Sequence, residues 1–290
     1  MPIPDLTLIG ESINDSVPKT HTMFEAGDIQ GIVDLAQFQV EKGSHYIDVN
    51  IGNRDPELMA EVIKAIQKKI TLPLSIDSPD PTIAEAGLKA YKPECANNQI
   101  PILNSISEAR QEMFDLYKIQ PFKPILLITE GLDEAGDMVM NKTAEQIYGT
   151  AKSMMRLARQ RIDEIKNSDV IFDPGIMPIG SDSKGDFRRL LKTLTLIHDD
   201  ADLAGVNNSL GLSNFTTMLP SKKADGSPVR SPLESAFLTM AMPLGLNMII
   251  GSVHRKYRLL DDDDPAMQCL KDVLQLEGLD AIMRVMSFFS

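Results

Sequence analysis

The chain has 290 residues, 43% hydrophobic and 24% charged, enough for one large core, so a single α/β domain over residues 1–290 is expected. A net charge of -12 and a pI near 4.8 oppose attraction to a phosphate backbone, which excludes nucleic acid as a partner. The start, MPIPDLTLIGESIN, has no basic region ahead of an apolar one, and no run approaches the roughly 20 apolar residues of a membrane span, so an unprocessed protein without membrane contact is expected.

In chain order, the first strand is predicted over LTLIGESIN (6–14), followed by a helix over IQGIVDLAQFQVEKG (29–43). YIDVNIG (46–52) and LPLSIDS (72–78) read as strands, each followed by a helix, PELMAEVIKAIQKK (56–69) and PTIAEAGLKAY (81–91). Further strands are expected at IPILNSIS (100–107), PILLITE (124–130), DVIFDPGI (169–176), LAGVNNSLGLSN (203–214) and LNMIIGSV (246–253), with a helix over ESAFLTMAMPLG (234–245) before the last. Strand alternating with helix means parallel βα units. About eight such units in roughly 250 residues favour a TIM (β/α)8 barrel over a doubly wound open sheet. GESIN also stands where the open sheet would carry its glycine-rich dinucleotide loop.

In such a barrel the C-terminal strand ends line the active site. Glu11 and Asn14, Asp48 and Asn50, Asp77, Asn104, Glu130, Asp173, and Asn207 with Asn214 all fall at predicted strand ends. One acid after a strand is often a helix cap, and Asp77 or Ser78 is well placed to cap the helix entered near Pro79. Four polar ends together, at Asp77, Asn104, Asp173 and Asn214, are poorly explained by capping alone. Cys95 and Cys269 lack CxxC spacing and no histidines stand at ligand spacing, so no metal ligand is assigned and a reducing cytoplasm is expected. Acids could hold Mg²⁺ or Ca²⁺, but acids beside amides also suit a neutral heterocycle offering N–H donors and ring acceptors, such as a guanine or pterin edge.

Other features read plainly. The DDDD run at 261–264 is expected as a solvated loop and helix cap, DSKGD (182–186) lacks the closing glutamate of a calcium loop, and the four histidines stand in unrelated contexts. His254, in GSVHRKYR, is placed to face the mouth with Arg255 or Lys256 and to hold an anionic tail.

The ordered set IGESIN (9–14), IDVNIG (47–52), SIDSPDPTIAEAGLK (75–89), ILNSISEAR (102–110), FDPGIMP (172–178), GLSN (211–214) and LTMAMPLGL (238–246) resembles, nearly end to end, the pterin-binding methyltetrahydrofolate:corrinoid methyltransferases. These are similar to the folate module of cobalamin-dependent methionine synthase. The resemblance implies a TIM barrel that exchanges a methyl group between N5 of tetrahydrofolate and a corrinoid carried by a partner protein, as a cytoplasmic homodimer. It assigns Asn214 and Asp77 to catalysis, and Asp77, Asn104, Asp173, Asp48, Glu11, Asn14, Ser213 and Arg230 to the pterin. Arg230 follows a segment, Phe215–Val229, that looks longer than the family's. That departure leans weakly toward tetrahydrofolate as the acceptor in a demethylation pathway. Two rivals stand beside it: a dihydropteroate synthase-like enzyme, which GSVHRKY favours, and a noncatalytic folate-binding protein.

Overall fold

The computed structural model describes residues 3–133 and 135–290. Ten strands are named in chain order: β1 (Thr7–Asn14), β2 (Tyr46–Asn50), β3 (Leu74–Asp77), β4 (Ile102–Ile106), β5 (Lys123–Leu127), β6 (Glu130–Leu132), β7 (Met138–Met140), β8 (Ile171–Asp173), β9 (Asn207–Asn208) and β10 (Met248–Gly251). Eight form one sheet in the order β10-β1-β2-β3-β4-β5-β8-β9, and every pairing within it is parallel. Asn247 N–H donates to Asn208 O, and Ile250 N–H donates to Leu210 O at 2.9 Å, which brings the two end strands together and closes the barrel. Strands β6 and β7 make a separate antiparallel hairpin that the sequence reading did not anticipate, because a glycine and acids separate two short runs there.

Nine α-helices surround the barrel: α1 (Pro18–Glu25), α2 (Ile29–Glu41), α3 (Pro56–Gln67), α4 (Pro81–Ala90), α5 (Ala144–Arg161), α6 (Asp186–His198), α7 (Arg230–Ala241), α8 (Pro265–Val273) and α9 (Gly278–Phe289) among the described residues. None of them is long and apolar enough to cross a membrane. Three begin on an aspartate followed by proline: Asp55 before α3, Asp80 before α4 and Asp264 before α8, each accepting from a backbone N–H of the first turn. The proline presets the helical φ where no N–H is needed, and the carboxylate satisfies one that would otherwise be orphaned. The last acid of the DDDD run is therefore a cap, as expected. Asp182 of DSKGD is likewise absorbed, accepting from Asp186 N–H and Phe187 N–H at the start of α6.

Strand alternation splits each strand between two environments. Ile47, Val49, Leu74, Ile76, Leu103, Leu126 and Phe172 point outward into the layer shared with the helices. Their neighbours Ile9, Tyr46, Ile102, Ile125, Ile171 and Met248 meet inside as a separate apolar floor. Two residues further along β2, β4 and β8, the inward positions are Asp48, Asn104 and Asp173. The barrel interior is dry below and polar above. Truncating the floor with Ile171→Ala should lower the unfolding free energy by about 2–5 kcal/mol in urea titrations, because this side chain is fully buried.

Candidate active site

A cavity of about 640 Å³ opens above that floor. Glu11, Asp48, Asp77 and Asp173 face it, with the amides Asn14, Asn104 and Asn214 and the hydroxyl of Ser213. Adjacent strand ends put these groups together: Asp48 lies opposite Ser75, and Asp77 opposite Asn104, in the parallel register.

Asp77 is not the cap of the helix that follows, since Asp80 takes that role and Ser78 Oγ accepts from Asp80 N–H. Its carboxylate instead accepts from the Asn50 side chain at 2.9 Å, and Asn50 is itself held by Gly52 N–H at 2.8 Å. Asp173 accepts from Gly175 N–H at 2.8 Å, leaving its other oxygen to the cavity. Gly175 has φ +67°, and a Cβ there would stand 2.4 Å from Thr129 Cγ2, so the turn after FDP requires glycine. Asp48 is 1% exposed and one of its oxygens has no hydrogen-bond partner among the described residues.

Burial is the main influence on these carboxyls. It pushes Asp48 well above the usual range, and the neighbouring charge of Asp77 adds to that. Burial likewise raises Asp77, with the Asn50 amide partly opposing it. Asp173 is pushed up to about 6, again mainly by burial, against the pull of Gly175 N–H. Three dry carboxyls in one cup leave acceptor capacity that the protein does not fill.

Asn214 sits on a short 3-10 turn, Leu212–Thr216, whose Leu212 and Phe215 are fully buried. Phe215 stacks on Phe237 with centroids 5.0 Å apart. A Cβ at Gly211 would reach within 3.0 Å of the Asn214 amide nitrogen, so the glycine of GLSN makes room for that side chain. The amide itself is exposed and makes no side-chain hydrogen bond to another described residue. A fixed turn thus presents a free donor and acceptor at the mouth. The turn is tied down by groups that sequence reading did not assign. Ser213 donates to Glu11 and Thr216 to Glu234, while Arg255 lies 3.5 Å from Glu234, a residue with no exposed surface. Glu234 is on α7, twenty residues beyond Asn214, and its role was hidden because it opens the predicted helix 234–245, where an acid reads as an ordinary first-turn residue.

Residues 14–254 match the Pterin binding enzyme family. The chain belongs to that family. It is 26% identical over 257 residues to the methylcorrinoid:tetrahydrofolate methyltransferase of Eubacterium limosum, covering 84% of each chain. It is 24% identical over 255 residues to methionine synthase of Mycobacterium tuberculosis, covering 84% of this chain but 20% of that one. In fold, this pterin-binding enzyme resembles a dihydropteroate synthetase at 13% identity with a TM-score of 0.58, covering 93% of this chain and 94% of that chain. Dihydropteroate synthase from Xanthomonas albilineans is similar at 15% identity with a TM-score of 0.55, covering 93% and 91%.

Of the residues singled out from sequence, the pterin-binding enzyme gathers Glu11, Asn14, Asp48, Asp77, Asn104, Asp173, Ser213 and Asn214 around one cavity. Others lie elsewhere. Arg230 does not line it: its guanidinium donates to Leu219 O at 2.6 and 2.8 Å and braces the loop after GLSN. Asn207 opens β9 instead of closing it, donating to Ser168 O and pairing with Asn247, because that strand is only two residues long. Glu130 begins the hairpin. Lys19 in α1 does face the cavity and was missed, although SVPKT directly after the first strand places it there.

A carboxyl whose folded pKa is raised binds more protons folded than unfolded, so its contribution to stability is greatest at low pH and is lost as pH rises through about 6. The ligand-free protein should therefore lose thermal stability between about pH 5 and about pH 7.5, and Asp48→Asn should reduce that loss. Calorimetry across that range is the check.

Proposed function

We propose that this enzyme moves a methyl group between a corrinoid carried by a partner protein and N5 of tetrahydrofolate, with tetrahydrofolate as acceptor. The observation that carries the reading is the cup of desolvated acids and amides with one unbonded amide, Asn214, at its mouth. The identity with a methylcorrinoid:tetrahydrofolate methyltransferase supports the reaction class.

Asp77, Asn104 and Asp173 would take the pterin edge, since carboxylates accept from its ring N–H and amino groups while Asn104 both gives and takes. Asp48, deeper and drier, orders the other carboxyls through the field it shares with Asp77. Glu11 and Asn14 complete the wall, and Ser213, bonded to Glu11, fixes the turn on which Asn214 stands. The corrinoid supplies the cobalt centre that gives or takes the methyl group. Asn214 would orient N5, accepting from it when protonated and donating to its lone pair when not, so no enzyme nucleophile is needed. Because the amide is exposed, a partner docking on the rim meets the same atom that the pterin presents.

The rival synthase chemistry needs cations free to hold a pyrophosphate. Arg255 is engaged by Glu234 and Arg230 by backbone carbonyls, whereas Lys19 in the cavity and Lys256 beside it carry no ion pair with a described residue, so the preference for methyl transfer rests on the identity with the methyltransferase. Formation of dihydropteroate from pterin pyrophosphate and p-aminobenzoate would reverse that choice. A storage protein would have no use for a free amide at N5. As for assembly and compartment, we place the enzyme in the cytoplasm as a homodimer. Exposed Leu279, Met283 and Met286 form a stripe at helical spacing on α9 that a second copy would cover, and sedimentation should return twice the chain mass.

Mixed anaerobically with methyltetrahydrofolate and free cob(I)alamin, the enzyme should convert the Co(I) spectrum to that of methylcobalamin. Asn214→Ala should slow this roughly 100-fold while leaving the pterin Kd nearly unchanged. Equal loss in both would make Asn214 a binding residue only. Pterin affinity should also fall about tenfold per pH unit below about 6, because a proton must leave Asp173 before it can accept from the pterin. Asp173→Asn should weaken binding and flatten that dependence.

A further inference from the structure

A second depression, of about 810 Å³, runs down the outside of the barrel beside the mouth. Its bed is the outward face of β1 and β10 at Leu8 and Ile249, with Val253. Lys42, Arg255, Lys256 and Arg258 line it together with His45 and His254, and no aspartate or glutamate among the described residues does. In a chain of net charge -12 that is a marked local reversal of sign. Two of the cations are already engaged, Arg255 by Glu234 and Arg258 by Asp264. Lys42 and Lys256 are exposed, and neither forms an ion pair with a described residue.

The groove adjoins the cavity at the mouth, with His254 lining both. The His254 ring lies 5.1 Å from that of Phe38, and the Lys42 ammonium lies 5.2 Å from the same Phe38 ring on its way into the groove. On α2, Leu35 faces the mouth and Lys42 the groove, seven residues and about 10 Å apart along the helix axis. A flexible chain leaving the mouth past His254 would therefore meet a run of positive charge within the reach of a few residues.

We propose that this groove binds the anionic tail of the folate, a chain of γ-linked glutamates extending from the p-aminobenzoyl group, with Lys42 and Lys256 as its principal cations. The inference rests on the folate reading above. The complementarity is chemical: each added glutamate brings one carboxylate, and the groove offers cations without competing acids, so affinity grows with tail length. The apolar bed takes the methylene segments between the carboxylates. Specificity for the pterin and affinity for the tail are thereby carried by two different surfaces that meet at His254.

The test is binding of methyltetrahydrofolate with one and with five glutamates to the full chain, by calorimetry. The five-glutamate form should bind roughly tenfold more tightly, and raising ionic strength from about 0.05 to about 0.5 M should remove most of that difference. Lys42→Gln with Lys256→Gln should abolish the preference while leaving the one-glutamate Kd and transfer from it to free cob(I)alamin unchanged. Equal binding of both forms by the wild type would overturn the groove assignment and leave the folate reading standing. Failure of either form to bind would overturn the folate reading itself. If the double substitution preserved the tail preference and instead weakened turnover with a corrinoid protein, the groove would belong to an acidic partner and not to the tail.

Discussion

The structure depends on the cost of keeping several carboxyls out of water within one barrel. Asp48, Asp77 and Asp173 occupy the same dry cup, and burial raises all three. Asn50 and the Gly175 amide offset part of that cost, while one oxygen of Asp48 has no hydrogen-bond partner among the described residues. A ligand bringing several N–H groups on one rigid edge is the natural complement, because each bond it makes favours the ionised form and relieves the penalty. Binding and protonation are then the same equilibrium seen from two sides.

That arrangement is possible because parallel strands alternate. A fully apolar barrel interior would be more stable, but it would have no face that differs from any other. The floor of Ile9, Tyr46, Ile102, Ile125, Ile171 and Met248 supplies packing, and the level above supplies chemistry, in a division set by a shift of two residues along β1, β2, β4 and β8. The short strands β8 and β9 matter here. With only Ile171–Asp173 and Asn207–Asn208 in extended pairing, the chain leaves the sheet early, and the turn bearing Asn214 is built over the opening instead of within the wall.

Around the cup, cations are engaged in support. Arg230 clamps the loop after GLSN through a backbone carbonyl, and Arg255 sits against the buried Glu234, which also receives Thr216. These contacts hold Asn214 from behind without touching its amide. Two uncommitted lysines, Lys42 and Lys256, lie outside along the groove beside the mouth, and Lys19 stands at the cavity.

The barrel and most of its polar rim were legible in the sequence alone. Period-two apolar runs ending in acids and amides, repeated about eight times, imply parallel strands whose ends converge, and Asp48, Asp77, Asn104 and Asp173 follow from that local pattern, whereas Asn214, expected at the end of a strand over 203–214, stands on a 3-10 turn beyond a strand of two residues. Sequence also placed a cap in the DDDD run, which Asp264 supplies, but at the helix after β3 it offered Asp77 or Ser78 where Asp80 takes the role, because several polar residues stand within reach of one helix start. What only the tertiary structure decided depends on partners far apart in sequence: whether Arg230 faces the cavity or a carbonyl, whether Asn207 begins or ends its strand, and which acid lies behind the Asn214 turn. Periodicity specifies the face a side chain takes on its own element, but not what the opposite element brings to meet it. The basic groove shares that origin, since Lys42 and Lys256 stand more than two hundred residues apart and become one surface only when the barrel closes β10 onto β1.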